Sequence, residues 1–179
     1  MQQDSELISE VQAGNPQAFE RLVTEYQDMV ARFVFRIIPS AEDREEVCQD
    51  VFVKAYFKIS QFKGEAKFST WLFQIAYNTA ISFKRKRVIS QVPLEDHDIA
   101  DVHRDELEQD DVSREIAAQL NRLSLEERSV VTLFYMQDMS VEDISHIVNR
   151  PNGTVKSILF RARGKLQNRM QPELLGAGA

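Results

Sequence analysis

The chain has 179 residues, 43% hydrophobic and 28% charged, with 22 Lys+Arg against 28 Asp+Glu and a formal net charge of −6. That length supports one or two domains with a real core, and no apolar run approaches the roughly 18–20 residues that cross a bilayer. A lone cysteine, Cys48, excludes an internal disulfide, and the scattered His97, His103 and His146 lack metal-ligand spacing.

The opening MQQDSELISE has neither the basic start nor the apolar stretch of a secretion signal, so the expected compartment is the cytoplasm. Glycine and proline are scarce and fall between periodic apolar segments. A first helix is expected over 5–13, stopped by Gly14. Asn15-Pro16 then supplies an N-cap followed by proline at the first helical position. The second helix carries Phe19, Leu22, Val23, Tyr26, Val30, Phe33, Val34 and Ile37 at helical spacing and ends before Pro39. Ser40 caps a third helix, whose apolar face includes Val47, Val51, Phe52, Ala55 and Tyr56. QFKGEAKF (61–68) is a loop. A fourth helix over 69–87 contains Trp71, Leu72, Ile75 and Ala76 and ends in KRKR; bases at that end also suit the helix dipole.

Periodicity then stops and acids accumulate, nine of them against Arg104 between Glu95 and Asp111. Helix resumes over 113–123. SLEE (124–127) is a capping box opening the next helix, which holds Val130, Val131, Leu133 and Phe134. Ser140 and Asp143 repeat the cap before a short helix over 141–148. A last helix spans 153–170, stopped by Pro172. The expected fold is all-α: a helical domain over 1–88, an acidic flexible linker over 89–112, a second helical domain over 113–170 and a tail over 171–179.

From Arg150 to Met170 there are six bases and no acid. A basic helix preceded by a short helix and a tight turn is a helix-turn-helix pattern. Asn149 stands at the turn and tolerates the left-handed conformation. Val155, Leu159, Ala162 and Leu166 form the expected inward stripe, leaving Lys156, Ser157, Phe160, Arg161, Arg163 and Lys165 on or near the outer side. Arginine and lysine read guanine edges or clamp phosphates, and serine reaches either. A helical hairpin with a solvated cationic face is the plainer alternative.

SVEDISHIVNRPNGTVKSILFRARGKL resembles the fourth-region helix-turn-helix of bacterial extracytoplasmic-function (ECF) RNA polymerase sigma factors, of the sigma-E-like kind. GNPQAFERLVTEYQDMV and DREEVCQDVFVKAYFKISQFKGEAKFSTWLFQIAYNTAISFKRKR resemble their second region. The resemblance covers nearly the whole chain. It implies a promoter-specificity subunit rather than an enzyme, with no cofactor. The implied partners are core RNA polymerase, promoter DNA and an anti-sigma factor; the protein itself would be monomeric outside complexes and not membrane-inserted. The third helix, over 43–57, would supply the polymerase contact through Glu46, Gln49 and Asp50, although solvated helix residues fit these positions equally well. Gly64, Glu65, Ala66 and Lys67, with Asn78, would capture a flipped base of the minus-ten element, which needs edge-reading polar groups and apolar walls. Lys84, Arg85, Lys86 and Arg87 would meet the DNA backbone. The last helix would read the minus-thirty-five element.

Trp71 reads as core, given its helical spacing with Leu72 and Ile75, rather than as a stacking platform. Cys48 reads as a small buried hydrophobe. Two positions depart from the pattern of many members: Ser145 stands for alanine, and Ile158 for arginine, which would remove one possible phosphate or base contact. The competing reading is a helix-turn-helix repressor or activator that never joins polymerase, which predicts a homodimer and a palindromic operator.

Overall fold

The computed structural model describes the backbone of residues 2–90 and 111–170 and the side chains of 4–87 and 115–167. Among these residues there are eight α-helices, one 3-10 turn and no strand. The chain divides into two compact units, Met1–Asp105 and Glu106–Ala179.

In the first unit, α1 (Gln2–Gln12) packs on α2 (Pro16–Ile37) through Leu7, Ile8 and Val11. Helix α1 starts three residues before the expected point. It ends with Gly14 at φ +95°, and the Asn15 N–H returns to the Glu10 carbonyl at 3.0 Å. Such a left-handed reversal favours glycine. Asn15 then caps α2: its Oδ1 accepts from the Gln17 N–H at 3.1 Å, while its Nδ2 donates to Glu10 at 2.9 Å. One residue therefore ties the end of α1 to the start of α2.

Helix α2 buries Ala18, Leu22, Val30, Phe33, Val34 and Ile37. Tyr26 is half-buried and its hydroxyl donates to Asp4; burial, then the Asp4 charge, push the phenol well above its ordinary range. Helix α3 (Ala41–Lys58) is capped by Ser40 and buries Val47, Val51 and Ala55. Arg44 donates to the Ile38 and Pro39 carbonyls at 2.9 and 2.8 Å and lies over the Phe35 ring, satisfying acceptors just past the end of α2. Tyr56, expected on the inner face, is instead 45% exposed. It lies on the flank of the Val47–Val51–Ala55 stripe, where the edge-on Phe19 ring covers one side.

A 3-10 turn, Ile59–Gln61, follows α3. Gln12 anchors it by donating to the Ile59 and Phe62 carbonyls at 2.8 and 3.1 Å. Helix α4 (Phe68–Ser90) fills the unit with Phe68, Leu72, Phe73, Ile75, Ala76, Tyr77 and Ala80. Phe73 meets Phe33 edge to face at 5.2 Å.

Residues 89–90 and 111–112, expected in the linker, belong to α4 and α5. No glycine or proline interrupts the chain before Pro93, and the residue preceding a proline is the one that disfavours helix. The rest of the expected linker, 91–110, and the expected tail lie outside the described residues.

The second unit comprises α5 (Asp111–Asn121), α6 (Leu125–Met136), α7 (Val141–Val148) and α8 (Asn152–Met170). The capping box forms as expected, with Ser124 and Glu127 each accepting the other's backbone N–H. Helix α6 is buried continuously from Glu127 to Leu133. Its Arg128 is 6% exposed and donates to Asn121 Oδ1 at 2.9 Å and to the Asn121 and Leu123 carbonyls at 2.8 and 3.3 Å. Burial lowers the Arg128 pKa, yet a guanidinium keeps its proton. Here it satisfies carbonyls at the C-terminal end of α5 that no helical N–H can reach.

Candidate nucleic-acid and polymerase interfaces

The helix-turn-helix is built from local hydrogen bonds. Ser140 caps α7 by accepting from the Asp143 N–H at 3.0 Å. Asn149 ends α7 at φ 52°, ψ 54° and returns its N–H to the Ser145 carbonyl. Arg150 N–H reaches the same carbonyl at 3.1 Å. The Ser145 hydroxyl donates to the Arg150 carbonyl at 2.5 Å, so the serine that replaces alanine here braces the turn. Ile144, Ile147 and Val148 of α7 are buried, as are Val155, Leu159 and Ala162 of α8. Leu166, expected in the same stripe, is half-buried.

Ile158 corrects the sequence reading. It is 2% exposed. At about 100° per residue it lies about 60° round the helix from Val155 and about 40° from Ala162, at the edge of the inward stripe of α8, so it adds to the core and its aliphatic chain deletes nothing from the outer face.

The outer face divides according to what each side chain touches. Phe160 is 78% exposed. Lys156 and Arg161 are exposed, and among the described residues neither has an intramolecular polar partner. Ser157 donates to the Gly153 carbonyl at 2.9 Å, which leaves its oxygen as an acceptor. Lys165 donates to both oxygens of Glu127 at 2.7 and 2.9 Å. Burial would raise the Glu127 carboxyl, but the bonds from Lys165 and Ser124 outweigh it and hold the group below its ordinary range. Arg163 donates through Nε, at 3.1 Å, and Nη2 to the Tyr135 hydroxyl. Arg150 pairs with Glu126 at 2.9 Å. The Arg169 side chain lies outside the described residues.

In the first unit, Gly64 stands at φ +74° with open space around it. Glu65, Ala66 and Lys67 are exposed beside it in the loop before α4. An aromatic cluster roots this loop: Phe62, Phe68 and Trp71 lie within 5.3–5.7 Å of one another, and Tyr26 is 5.1 Å from Phe68. Trp71 is half-buried at the edge of that cluster, neither wholly core nor free. Asn78 is exposed seven residues further along α4, on the same helical stripe as Trp71 and about 10 Å along the axis. The stripe thus joins the aromatic cluster to the amide.

Lys84, Arg85 and Lys86 are exposed, while Arg87 forms an ion pair with Asp43 of α3. An open cleft between α3 and α4 brings Glu46 and Asp50 of the expected polymerase set together with Lys86 and Arg87 of the expected DNA set. Lys54 bridges its walls, donating to Asp50 and Thr79 at 3.3 Å each. Gln49 is exposed and donates to Glu45 at 3.2 Å. Burial pushes the half-buried Cys48 thiol up, away from the reactive thiolate. Tyr135, Glu126 and Lys54, and the Lys165-binding role of Glu127, were missed by the sequence reading, because each depends on a partner on another helix or turn.

The family profiles "Sigma-70 region 2" and "Sigma-70, region 4" match residues 22–88 and 113–166. The RNA polymerase sigma-H factor of Pseudomonas aeruginosa is 32% identical, over 97% of this chain and 96% of its own. The ECF RNA polymerase sigma-E factor of Escherichia coli K12 is 34% identical, over 94% and 95%. Among solved structures, the sigma factor RpoE from Bartonella quintana, determined with the anti-sigma factor NepR, is 26% identical with a TM-score of 0.68, covering 86% of this chain and 97% of that one. With a helix-turn-helix in one unit, an aromatic-rooted loop in the other, and this similarity along nearly the whole length, the chain belongs to the extracytoplasmic-function family of RNA polymerase sigma factors.

Proposed function

We propose that this sigma factor divides promoter recognition between its units, with α8 reading the minus-thirty-five element and the 62–67 loop and Asn78 holding melted minus-ten DNA. The carrying observation is the outer face of α8, where Lys156, Phe160 and Arg161 stand exposed on a helix whose opposite side is core. Lys84, Arg85 and Lys86 lie against the DNA backbone, and Glu46, Gln49 and Asp50 of α3 face core polymerase. The 1–90, 91–110 and 111–170 segments serve as polymerase and minus-ten module, linker, and minus-thirty-five module. No helix among the described residues is long and apolar enough to cross a membrane, and the protein works beside polymerase in the cytoplasm. Its neighbour's complex with an anti-sigma factor supports a similar inhibitor here, with this chain monomeric when free.

The free protein should bind duplex DNA weakly and gain sequence-specific binding only with core polymerase. Outside 150–170 the chain carries 16 bases against 28 acids, a field that opposes DNA approach. Equilibrium binding with and without core polymerase tests this; tight specific binding by the free protein would contradict it. Asn78→Ala should leave polymerase and minus-thirty-five binding intact and impair opening, since an edge-reading amide is lost. Unchanged permanganate reactivity of the open complex would remove Asn78 from the minus-ten site.

A further inference from the structure

Three of the cations around α8 meet two fates. Lys165 and Arg150 are paired with the carboxylates of Glu127 and Glu126, which neutralise them locally. Arg163 is held by a neutral phenol. Its guanidinium is therefore oriented without losing its charge.

The geometry favours further use of that charge. Tyr135 lies in the last turn of α6, a helix buried over most of its length, and the Phe134 ring meets it edge to face at 5.0 Å. Tyr135 is 48% exposed, so it reaches solvent from a rigid base. Arg163 uses Nε and one N–H of Nη2 on the phenol oxygen, and its ring-face distance to Tyr135 is 5.9 Å. A guanidinium has five N–H donors, so three remain. A phenol that accepts through its oxygen still carries its own O–H donor. About 100° per residue places Arg163 on the stripe of Lys156 and Phe160 and on the opposite flank from Lys165.

We infer that Tyr135 and Arg163 form one phosphate-binding fork beside the recognition helix, in which Tyr135 orients the guanidinium and donates its own O–H to the same backbone phosphate. This rests on the reading that α8 meets DNA. Pre-orientation matters because an arginine side chain otherwise loses rotamer freedom on being fixed. The fork reads no base, so its effect is uniform over sequence.

The test uses holoenzyme reconstituted with core polymerase and a duplex that the wild-type holoenzyme selects from a library randomised over the minus-thirty-five segment. Kd is measured at several salt concentrations for that duplex and its single-base variants. Arg163→Ala should weaken binding and lower the salt slope by about 0.9, the value for one phosphate. Tyr135→Phe, which keeps the ring, should weaken every duplex about 10-fold, as loss of hydrogen bonds to a charged group implies, and should add less than twofold in the Arg163→Ala background. Amide-exchange protection of α6 and α8 should be unchanged in Tyr135→Phe. A silent Tyr135→Phe, an equal loss in both backgrounds, or lost protection would overturn the fork while leaving DNA reading by α8 intact. A silent Arg163→Ala, with unchanged Kd and slope, would overturn the fork together with the placing of this flank of α8 against phosphate.

Discussion

Glu127→Ala is expected to destabilise the packing of α6 and α8 by roughly 2.5–4 kcal/mol, from a lost cap near 1 kcal/mol and a lost charge-assisted bond of about 1.5–3 kcal/mol. Glu127 is 8% exposed. Its carboxylate closes the capping box of α6 and also receives Lys165 from α8, so one group serves the start of one helix and the seating of another. The folded pKa lies below its ordinary value. In the interval between the two, the unfolded chain binds the extra proton, so stability rises with pH there. The contribution is therefore complete above the ordinary glutamate range and fades as pH falls through the depressed folded value. Amide exchange in α6 and α8 measures this locally, without assuming that the two units unfold together. The deficit of Glu127→Gln relative to wild type should shrink as pH falls. A deficit independent of pH would mean that the charge is not its source.

Arg161→Ala should cost roughly 1–3 kcal/mol of promoter affinity and relax preference at one minus-thirty-five position, the signature of a lost bidentate base contact. Arg161 is exposed. About 100° per residue sets Ser157 and Phe160 nearly opposite the buried stripe of α8, with Arg161 on the flank beside Ser157, on the outer side that a recognition helix points at base edges. Lys165→Ala should behave differently. Its charge is already shared with Glu127, so replacement should reach promoter binding chiefly through the seating of α8. Holoenzyme affinity for the selected duplex and its single-base variants separates these roles. An Arg161→Ala loss equal at every sequence would move Arg161 to the phosphate set.

Features that depend on only a few neighbouring residues could be read directly from the sequence. Asn15, Ser40, Ser124 and Ser140 cap their helices as expected, because a short polar side chain reaches an N–H two or three residues on whatever surrounds it. Asn149 takes the left-handed turn for the same local reason. The buried stripes of α2 and α7 follow their apolar spacing. Ile158 departs from the family pattern, yet its spacing of three residues from Val155 and four from Ala162 already points inward, and it is buried.

The availability of each cation for DNA could not be read in this way. Lys165 finds Glu127 across 38 residues, Arg163 finds Tyr135 across 28, and Arg150 finds Glu126 across 24. An acid-free run of sequence says nothing about acids brought to it by another helix. Periodicity assigns a side chain to a flank of its own helix, whereas its partner depends on the angle and register at which two helices cross, and these are set by the packing of both cores together.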